Sequence, residues 1–384
     1  LIAPLANLAA APVITVLQPT LFLALVLAPL PSVAGFVADA AHPLLRVFDG
    51  IAGAAAAVPH ASVSVVPSLV TAIAGGGAVA AVIWACLSRY PLRPIMAAMT
   101  GFAVIAWSPA IRLPHDGAME MHVLDVGQGD AVLIRTDRGR WILFDAGRVW
   151  EGGDAGRSVI VPYVMRRGGE LTAFVLSHAH ADHAGGAPTI LQAFHPQWFW
   201  DAAFVQGSAI YDRSLRVARE SGVNWKRVHP GDSLRVDGVS VYFLAPDSAW
   251  TASLSDPNDA STVALVQFGA SRFLLVGDAE QEEERWLLDH DRDRLRADVL
   301  KVGHHGSATS SGEAFLAAVN PSLALISVGA GNVYGHPSTD VVAALARAGA
   351  EVARTDRDGT IVVRSDGRAI TFETRRGRWD ISRE

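Results

Sequence analysis

The chain has 384 residues, enough for two or more domains, and it is 50% hydrophobic with only 18% charged residues. Its formal net charge of −6 argues against an avid nucleic-acid binder, because phosphate neutralisation needs lysine and arginine. Cys86 is the single cysteine, which excludes an intramolecular disulfide; in its apolar segment it reads as a small hydrophobe.

The charge is unevenly spread. Up to residue 110 the acids and strong bases are Asp39, Arg46, Asp49, Arg89 and Arg93, a net of +1, which leaves −7 for the remainder. A membrane part followed by an acidic soluble part is expected, with the boundary at 115/116. The chain begins with Leu, which reads as a fragment of a longer protein, and the start lacks a signal-peptide layout.

The first apolar run, Ala11 to Phe36, is charge-free but interrupted by Pro12, Pro19, Pro29 and Pro31. It predicts a kinked or broken membrane helix, or a pair of short segments. Residues 43–58 set Leu44, Leu45, Val47, Phe48 and Ile51 around Arg46 and Asp49, the pattern of an interfacial amphipathic helix. Val65 to Leu87 matches the ~20 residues that a bilayer needs, and Gly75-Gly76-Gly77 would permit close helix packing. Leu92 to Ile111 is a second spanning candidate, with Trp107 as an interface anchor. Arg89 and Arg93 flank the link between these two helices. By the positive-inside tendency the link is cytoplasmic, and everything after residue 115 then lies outside the cytoplasm.

From residue 119 the texture changes to short strands and helices. Strands are expected at Met121 to Val126, Ala131 to Arg135, Trp141 to Phe144 and Leu171 to Leu176. A helix is expected over Val159 to Arg167 and another over Ala187 to Phe194. Further strands are expected at 197–201, 239–244, 262–268, 272–276, 298–302, 323–328, 351–354 and 360–364, with helices at 280–292 and 338–348. Mixed strands and helices with hairpins in both halves predict an α/β sandwich, two mixed sheets inside and helices outside.

The strand Leu171 to Leu176 runs into His178, His180, Asp182 and His183, four metal-ligand residue types within six positions. Alternate residues at a strand end point the same way, so His178 and His180 can converge on one point while Asp182 and His183 face a second. Imidazole and carboxylate suit zinc, manganese or iron. Asp278 ends the apolar strand Phe273 to Val276, where a carboxylate is costly unless paired or bound to metal. It reads as a bridge between two metals, or as the N-cap of the next helix. In Lys301-Val-Gly-His304-His305-Gly-Ser307 one histidine can complete a metal shell, with His304 favoured, and the other can protonate a leaving group. His336 is a further ligand, a proton donor or an ordinary loop histidine. Asn258 is a ligand or a turn residue. His115, His195 and His229 have no such setting.

Together the His-x-His-x-Asp-His pattern at 178–183 and Gly277-Asp278 resemble the metallo-β-lactamase fold, an αββα sandwich. Asp125-Val-Gly-Gln-Gly-Asp130, the run at 301–307 and Asn332-Val-Tyr-Gly-His-Pro337 are similar, more narrowly, to the soluble domain of ComEC-type DNA-internalisation proteins. The opening residues resemble the end of that family's membrane competence domain. The resemblance implies missing N-terminal channel helices, other competence proteins as partners, and a membrane channel for single-stranded DNA. It also implies a bacterial, multi-pass membrane location and a nuclease that degrades the strand not imported.

Two divalent ions, Zn²⁺ or Mn²⁺, would be held by His178, His180, Asp182, His183, Asp278 and His304. Asp182, His305 and His336 are the expected catalytic groups. Gln128, Asp130, Asp145, Asn258 and Ser307 are expected to contact substrate or to orient ligands. The resemblance implies a histidine before the Gly-Asp, as in the wider superfamily; Asn258 holds that place here, so one site either binds its metal more weakly or prefers a harder ion such as Mn²⁺. The rival readings are a hydrolase of a small ester or thioester, and a non-catalytic DNA-binding cap on the channel.

Overall fold

The computed structural model describes residues 3–58, 69–107, 117–204 and 207–381. It divides into two units, Leu1–Ile111 and Arg112–Glu384.

The first unit is helical. One helix, Ala3–Val26, runs straight through Pro12 and Pro19. The run therefore breaks later than its first proline, and a second helix, Pro31–Asp39, starts with proline in its first turn, where no amide hydrogen is needed. Thr15 and Thr20 donate their hydroxyls to the carbonyls of Ala11 and Val16, at 2.8 Å each, which keeps polar groups satisfied inside the apolar helix. The expected amphipathic helix is Ala41–Ala56.

Leu69–Leu87 and Leu92–Trp107 pack on each other. The close approach is made by Gly101, whose added Cβ would sit 2.8 Å from the carbonyl oxygen of Ala74 and 2.9 Å from Cβ of Ala78. Of the expected Gly75-Gly76-Gly77 run only Gly75 faces the other helix, an added Cβ lying 3.6 Å from Cδ1 of Ile105, while Gly76 and Gly77 meet nothing within 4 Å. Leu5–Val26 and Leu69–Leu87 are long and apolar enough to cross a membrane. Leu92–Trp107, with 16 residues, is shorter than a span; residues 108–111, expected to extend it, lie outside the described residues, as do 65–68.

The second unit is a two-sheet sandwich. Strands β1 (Met119–Val123), β2 (Val132–Arg135), β3 (Trp141–Phe144), β4 (Val149–Trp150), β5 (Gly153–Asp154), β6 (Leu171–Leu176), β7 (Trp198–Asp201) and β8 (Asn224–Arg227) come first. Strands β9 (Ser233–Val236), β10 (Val239–Ala245), β11 (Val263–Phe268), β12 (Ser271–Leu275), β13 (Val299–Lys301), β14 (Leu323–Ile326) and β15 (Glu351–Arg354) form the second sheet in the reverse order β15 to β9. Strands β16 (Ile361–Ser365), β17 (Ile370–Thr374) and β18 (Gly377–Ile381) return to the first sheet, whose order is β18-β17-β16-β1-β2-β3-β6-β7-β8. The hairpin β4–β5 stands apart.

Alternation builds the layers. In β6, Ala173 and Val175 face the other sheet, while Phe174 and Leu176 face the outer helices. Helices Val161–Arg167, Ala187–Phe194 and Ala209–Glu220 cover the first sheet; Gln281–His290, Glu313–Val319 and Thr339–Arg347 cover the second. This is the αββα arrangement. The sequence reading lacked β8, β9, β17, β18 and the helices at 209–220 and 313–319.

In each sheet the strands on one side, out to the edge, are parallel: β3, β6, β7 and β8 in one, and β12 to β15 in the other. All their carboxyl ends lie on one edge of the sandwich, and the loops there carry the polar residues singled out above.

Phe243 is fully buried and stacks on Trp200 across the two sheets, with ring centroids 5.0 Å apart. Replacing it with alanine is expected to cost about 3–5 kcal/mol, measured by chemical denaturation followed by circular dichroism. A loss below about 1 kcal/mol would mean that the sheets close over the vacancy.

Candidate metal centre

Strand β6 ends at Leu176, and the next residue anchors the centre. Ser177 donates its amide to Asp145 Oδ1 at 2.7 Å and its hydroxyl to Asp145 Oδ2 at 2.8 Å. Asp145 follows β3 in the left-handed region (φ 58°), which turns its carboxylate across to β6. Its Oδ2 also accepts from His183 Nδ1 at 2.8 Å. His178 is buried with Nδ1 at 3.0 Å from Ser177 Oγ and Nε2 at 3.1 Å from His180 Nδ1. The strand-end alternation therefore brings His178 and His180 together, as their spacing implies.

The second sheet supplies the opposing groups. Asp278, buried after β12, places Oδ1 at 3.1 Å from His183 Nε2 and Oδ2 at 3.5 Å from His305 Nε2. His305 Nε2 is also 3.4 Å from Asp182 Oδ2. On its other side His305 Nδ1 donates to the carbonyl of Ser327, after β14, at 2.8 Å. A hydrogen bond at Nδ1 leaves the lone pair on Nε2. His178, His183 and His305 all follow that pattern, with Nδ1 bonded outward and Nε2 turned toward the other imidazoles or carboxylates.

Asp130 lies in the same cluster: one donor atom from each of Asp130, His183, Asp278 and His305 falls within 4.8 Å of the others. It nevertheless faces the Nδ1 atoms of His183 (4.0 Å) and His305 (3.4 Å), behind the rings, and forms an ion pair with the buried Lys301. Asp278 and Asp182 face the Nε2 side. Gly129 makes this approach possible, because an added Cβ would lie 2.2 Å from the carbonyl oxygen of Asp182.

The charges depend on one another. Burial opposes a charge on His305, but Asp278 and Asp130 outweigh it and push its pKa up to about 9. His183 is raised well above its ordinary value by Asp278 and Asp145 against the same penalty. Burial raises Asp130, but Lys301 and His305 bring it down to about 2. Asp278 is held well below the usual carboxylate range, against its burial, by His183 and His305. His178 is lowered by burial and by His183.

The donor set fits a divalent ion. His183 Nε2, His305 Nε2 and Asp278 Oδ1 are buried without a hydrogen-bond partner, although they face opposite charges. Ligand atoms need no hydrogen between them, so this is the arrangement that metal donors take.

Several expected positions fall elsewhere. His304, expected to close the shell, is partly exposed, with Nε2 at 3.9 Å from Asp278 Oδ2 and Nδ1 at 2.7 Å from Glu280 Oε1. His305, expected as a proton donor, is the buried one. Both adopt left-handed backbone (φ 44° and 53°), which turns consecutive side chains different ways. Asn258 donates its amide to Glu280 at 3.5 Å. His336 lies at the mouth, with its ring 5.6 Å from that of His304. Gln128 accepts from the amide of Gly329 at 3.2 Å and so ties two loops together. Ser307 bonds Thr309, hydroxyl to hydroxyl at 2.9 Å, and closes the short helical turn Gly303–Gly306, its amide donating to the carbonyl of His304 at 2.8 Å. Lys301 and Glu280 escaped the sequence reading. The one clue to Lys301 was a charge at the end of an otherwise apolar strand.

Fold and site together define a metal-dependent hydrolase, and the metallo-beta-lactamase superfamily model matches residues 124–330, so the chain belongs to that superfamily. Its relatives are competence proteins of the ComEC type. It is 32% identical over 266 residues to ComE operon protein 3 of Bacillus subtilis, covering 66% of this chain and 34% of that protein. It is 35% identical over 244 residues to Recombination protein 2 of Haemophilus influenzae (64% and 28%). It is 33% identical over 240 residues to Competence protein ComA of Neisseria gonorrhoeae (62% and 31%). The chain thus spans about a third of the length of these relatives. With its two long apolar helices, this kinship associates the chain with a membrane.

Two outcomes follow. Asp145→Asn removes the acceptor that orients His183 and Ser177, and is expected to weaken Mn²⁺ binding about 10–100-fold. Isothermal titration of the full chain in detergent measures this; unchanged affinity would show that the imidazole needs no such support. Second, an incoming ion must displace the protons that the metal-free carboxylates hold on His183 and His305. Binding therefore releases protons, and affinity rises with pH until about 9, where His305 loses its proton unaided. Titration in buffers of different ionisation enthalpy checks the sign.

Proposed function

We propose that the chain is a metal-dependent phosphodiester hydrolase, a nuclease, attached to a membrane DNA-uptake channel, and that it degrades the strand that is not imported. The observation that carries this reading is the convergence of the buried His183, His305 and Asp278 with the part-exposed Asp182, on a chain whose relatives include a protein named for competence. His178, His180 and Asp278 would hold one ion; Asp182, His183, Asp278 and His305 would hold another. Zn²⁺ and Mn²⁺ both suit these donors.

When bound, such ions neutralise charge on the phosphoryl group and acidify a water to act as nucleophile. The chain supplies the rest. Asp145, Asp130 and Ser327 fix the ring nitrogens. Asp182 is part-exposed and orients the attacking water from the open side. His336, with its ring 5.6 Å from that of His304, would pass a proton to the departing oxygen; burial and His304 hold its pKa below the ordinary value, so this role is favoured at lower pH. The partners are single-stranded DNA, membrane lipid, channel helices and other competence proteins. The expected multi-pass topology, with the hydrolase outside the cytoplasm, rests on Arg89 and Arg93 alone. Near the C-terminus Arg364 pairs with Glu120 at 3.2 Å and Arg376 with Asp358 at 3.0 Å.

The full chain, purified in detergent and given Mn²⁺ or Zn²⁺, is expected to cleave DNA, to lose cleavage in chelator, and to lose it in Asp182→Ala. His305→Ala should cost more than 100-fold in kcat/KM, roughly 3 kcal/mol, and His304→Ala markedly less. Cleavage that survives Asp182→Ala would sink the assignment, and turnover of small thioesters without any of DNA would favour the rival enzyme.

A further inference from the structure

Beside the centre, the loop 329–337 exposes Val333 (92%) and Tyr334 (67%). Tyr334 is the most exposed aromatic residue among the described residues of the second unit. The exposure does not come from looseness. The Asn332 side chain donates to the carbonyls of Gly329 (3.0 Å) and His336 (2.7 Å), and it accepts from the amides of Tyr334 (3.2 Å) and His336 (3.1 Å). Ser338 donates its amide to Gly306 O at 2.8 Å, which ties the loop's far end to the turn that carries His305. The loop has already given up its conformational freedom, so a ligand that meets Tyr334 meets a fixed ring.

The rings form a row. Tyr334 lies nearly parallel to His336 (15°, centroids 5.9 Å apart), and His336 meets His304 at 5.6 Å. His304 Nε2 is 3.9 Å from Asp278 Oδ2. The row thus leads from open solvent to the buried carboxylate. A flat apolar ring at the outer end of such a row suits another flat ring.

We infer that Tyr334 is a stacking platform for one nucleobase of a single strand, and that it seats the neighbouring phosphodiester beside His336 and the metal centre. This rests on the nuclease reading above. The charge pattern supports it. The chain is acidic overall and Arg364 and Arg376 are engaged by Glu120 and Asp358, which limits phosphate contacts, and base–aromatic stacking is a sequence-tolerant way to add affinity. Stacking also selects the strand, because bases inside a duplex present no free face.

The test uses the full chain in detergent, with Asp182→Ala in every protein so that binding is read without cleavage. Fluorescence anisotropy compares an oligothymidine, an abasic oligomer of the same length, and a duplex. Oligothymidine is expected to bind best, and adding Tyr334→Ala should weaken it roughly 10–100-fold. Tyr334→Phe should retain binding, and the abasic oligomer should not respond to either change. In the cleavage-competent chain the loss should appear in KM rather than kcat. Equal loss on the abasic oligomer, or none on oligothymidine, overturns the platform, and the second result leaves Val333 and Tyr334 as a surface for a protein partner. Tyr334-dependent binding without any cleavage by the Asp182 chain removes the nuclease reading and leaves the platform standing. Cleavage without Tyr334 dependence does the reverse.

Discussion

The carboxylate of Asp278 is the constraint on which the structure of the second unit turns. It is 2% exposed, and its two oxygens face His183 and His305. Taking a carboxylate out of water costs several kcal/mol even after the protein relaxes. Only opposite charge at close range offsets that, and the surrounding imidazoles provide it by staying protonated. A divalent ion does the same work with one charge centre and frees both rings of their protons. The protein is thus built around a carboxylate that must always have a cation beside it, whether proton-borne or metallic.

Holding that arrangement takes both sheets. The first contributes Asp145 and the 177–183 segment; the second contributes Asp278, His305 and the carbonyl of Ser327. Each comes from the carboxyl end of a parallel strand, the edge where the chain leaves a sheet with side chains free to converge. Two close approaches at this edge, one within the first sheet and one between the sheets, leave no room for a side chain. Gly129 backs onto the carbonyl of Asp182, and an added Cβ at Gly277 (φ 54°) would lie 2.7 Å from Cβ of Ser177. Lys301 completes the balance. It neutralises Asp130, which can then stand behind two imidazoles without adding an uncompensated charge.

How much of this was legible in the sequence followed from how local each signal is. The 178–183 pattern is set by strand and turn geometry within a few residues, so it could be read directly. Asp278 was legible because a charge ending an apolar strand demands a partner. The tandem histidines were not, because adjacency alone cannot say which ring turns inward, and the left-handed backbone that decides it is not written in residue type. Glu280 and Asn258 meet across 22 positions, a contact with no local trace. The edge strands escaped for a different reason. Asn224–Arg227 and Gly377–Ile381 are mostly exposed and carry charged or polar residues, so the alternation that marks a strand is weak in them. In the helical unit a triple glycine suggested the close contact, yet contact depends on which face meets a neighbour, and Gly101 has that face.

The place of Asn258 gives the centre its asymmetry. Where the wider superfamily sets a third histidine before the Gly-Asp, this chain has an amide that reaches Glu280, and Glu280 in turn engages Nδ1 of His304. One flank of the centre is therefore closed by imidazole and carboxylate on short tethers, while the other is a chain of hydrogen bonds that stops short of Asp278. The same flank carries the part-exposed His304 and His336, so it is also the side from which a substrate can enter.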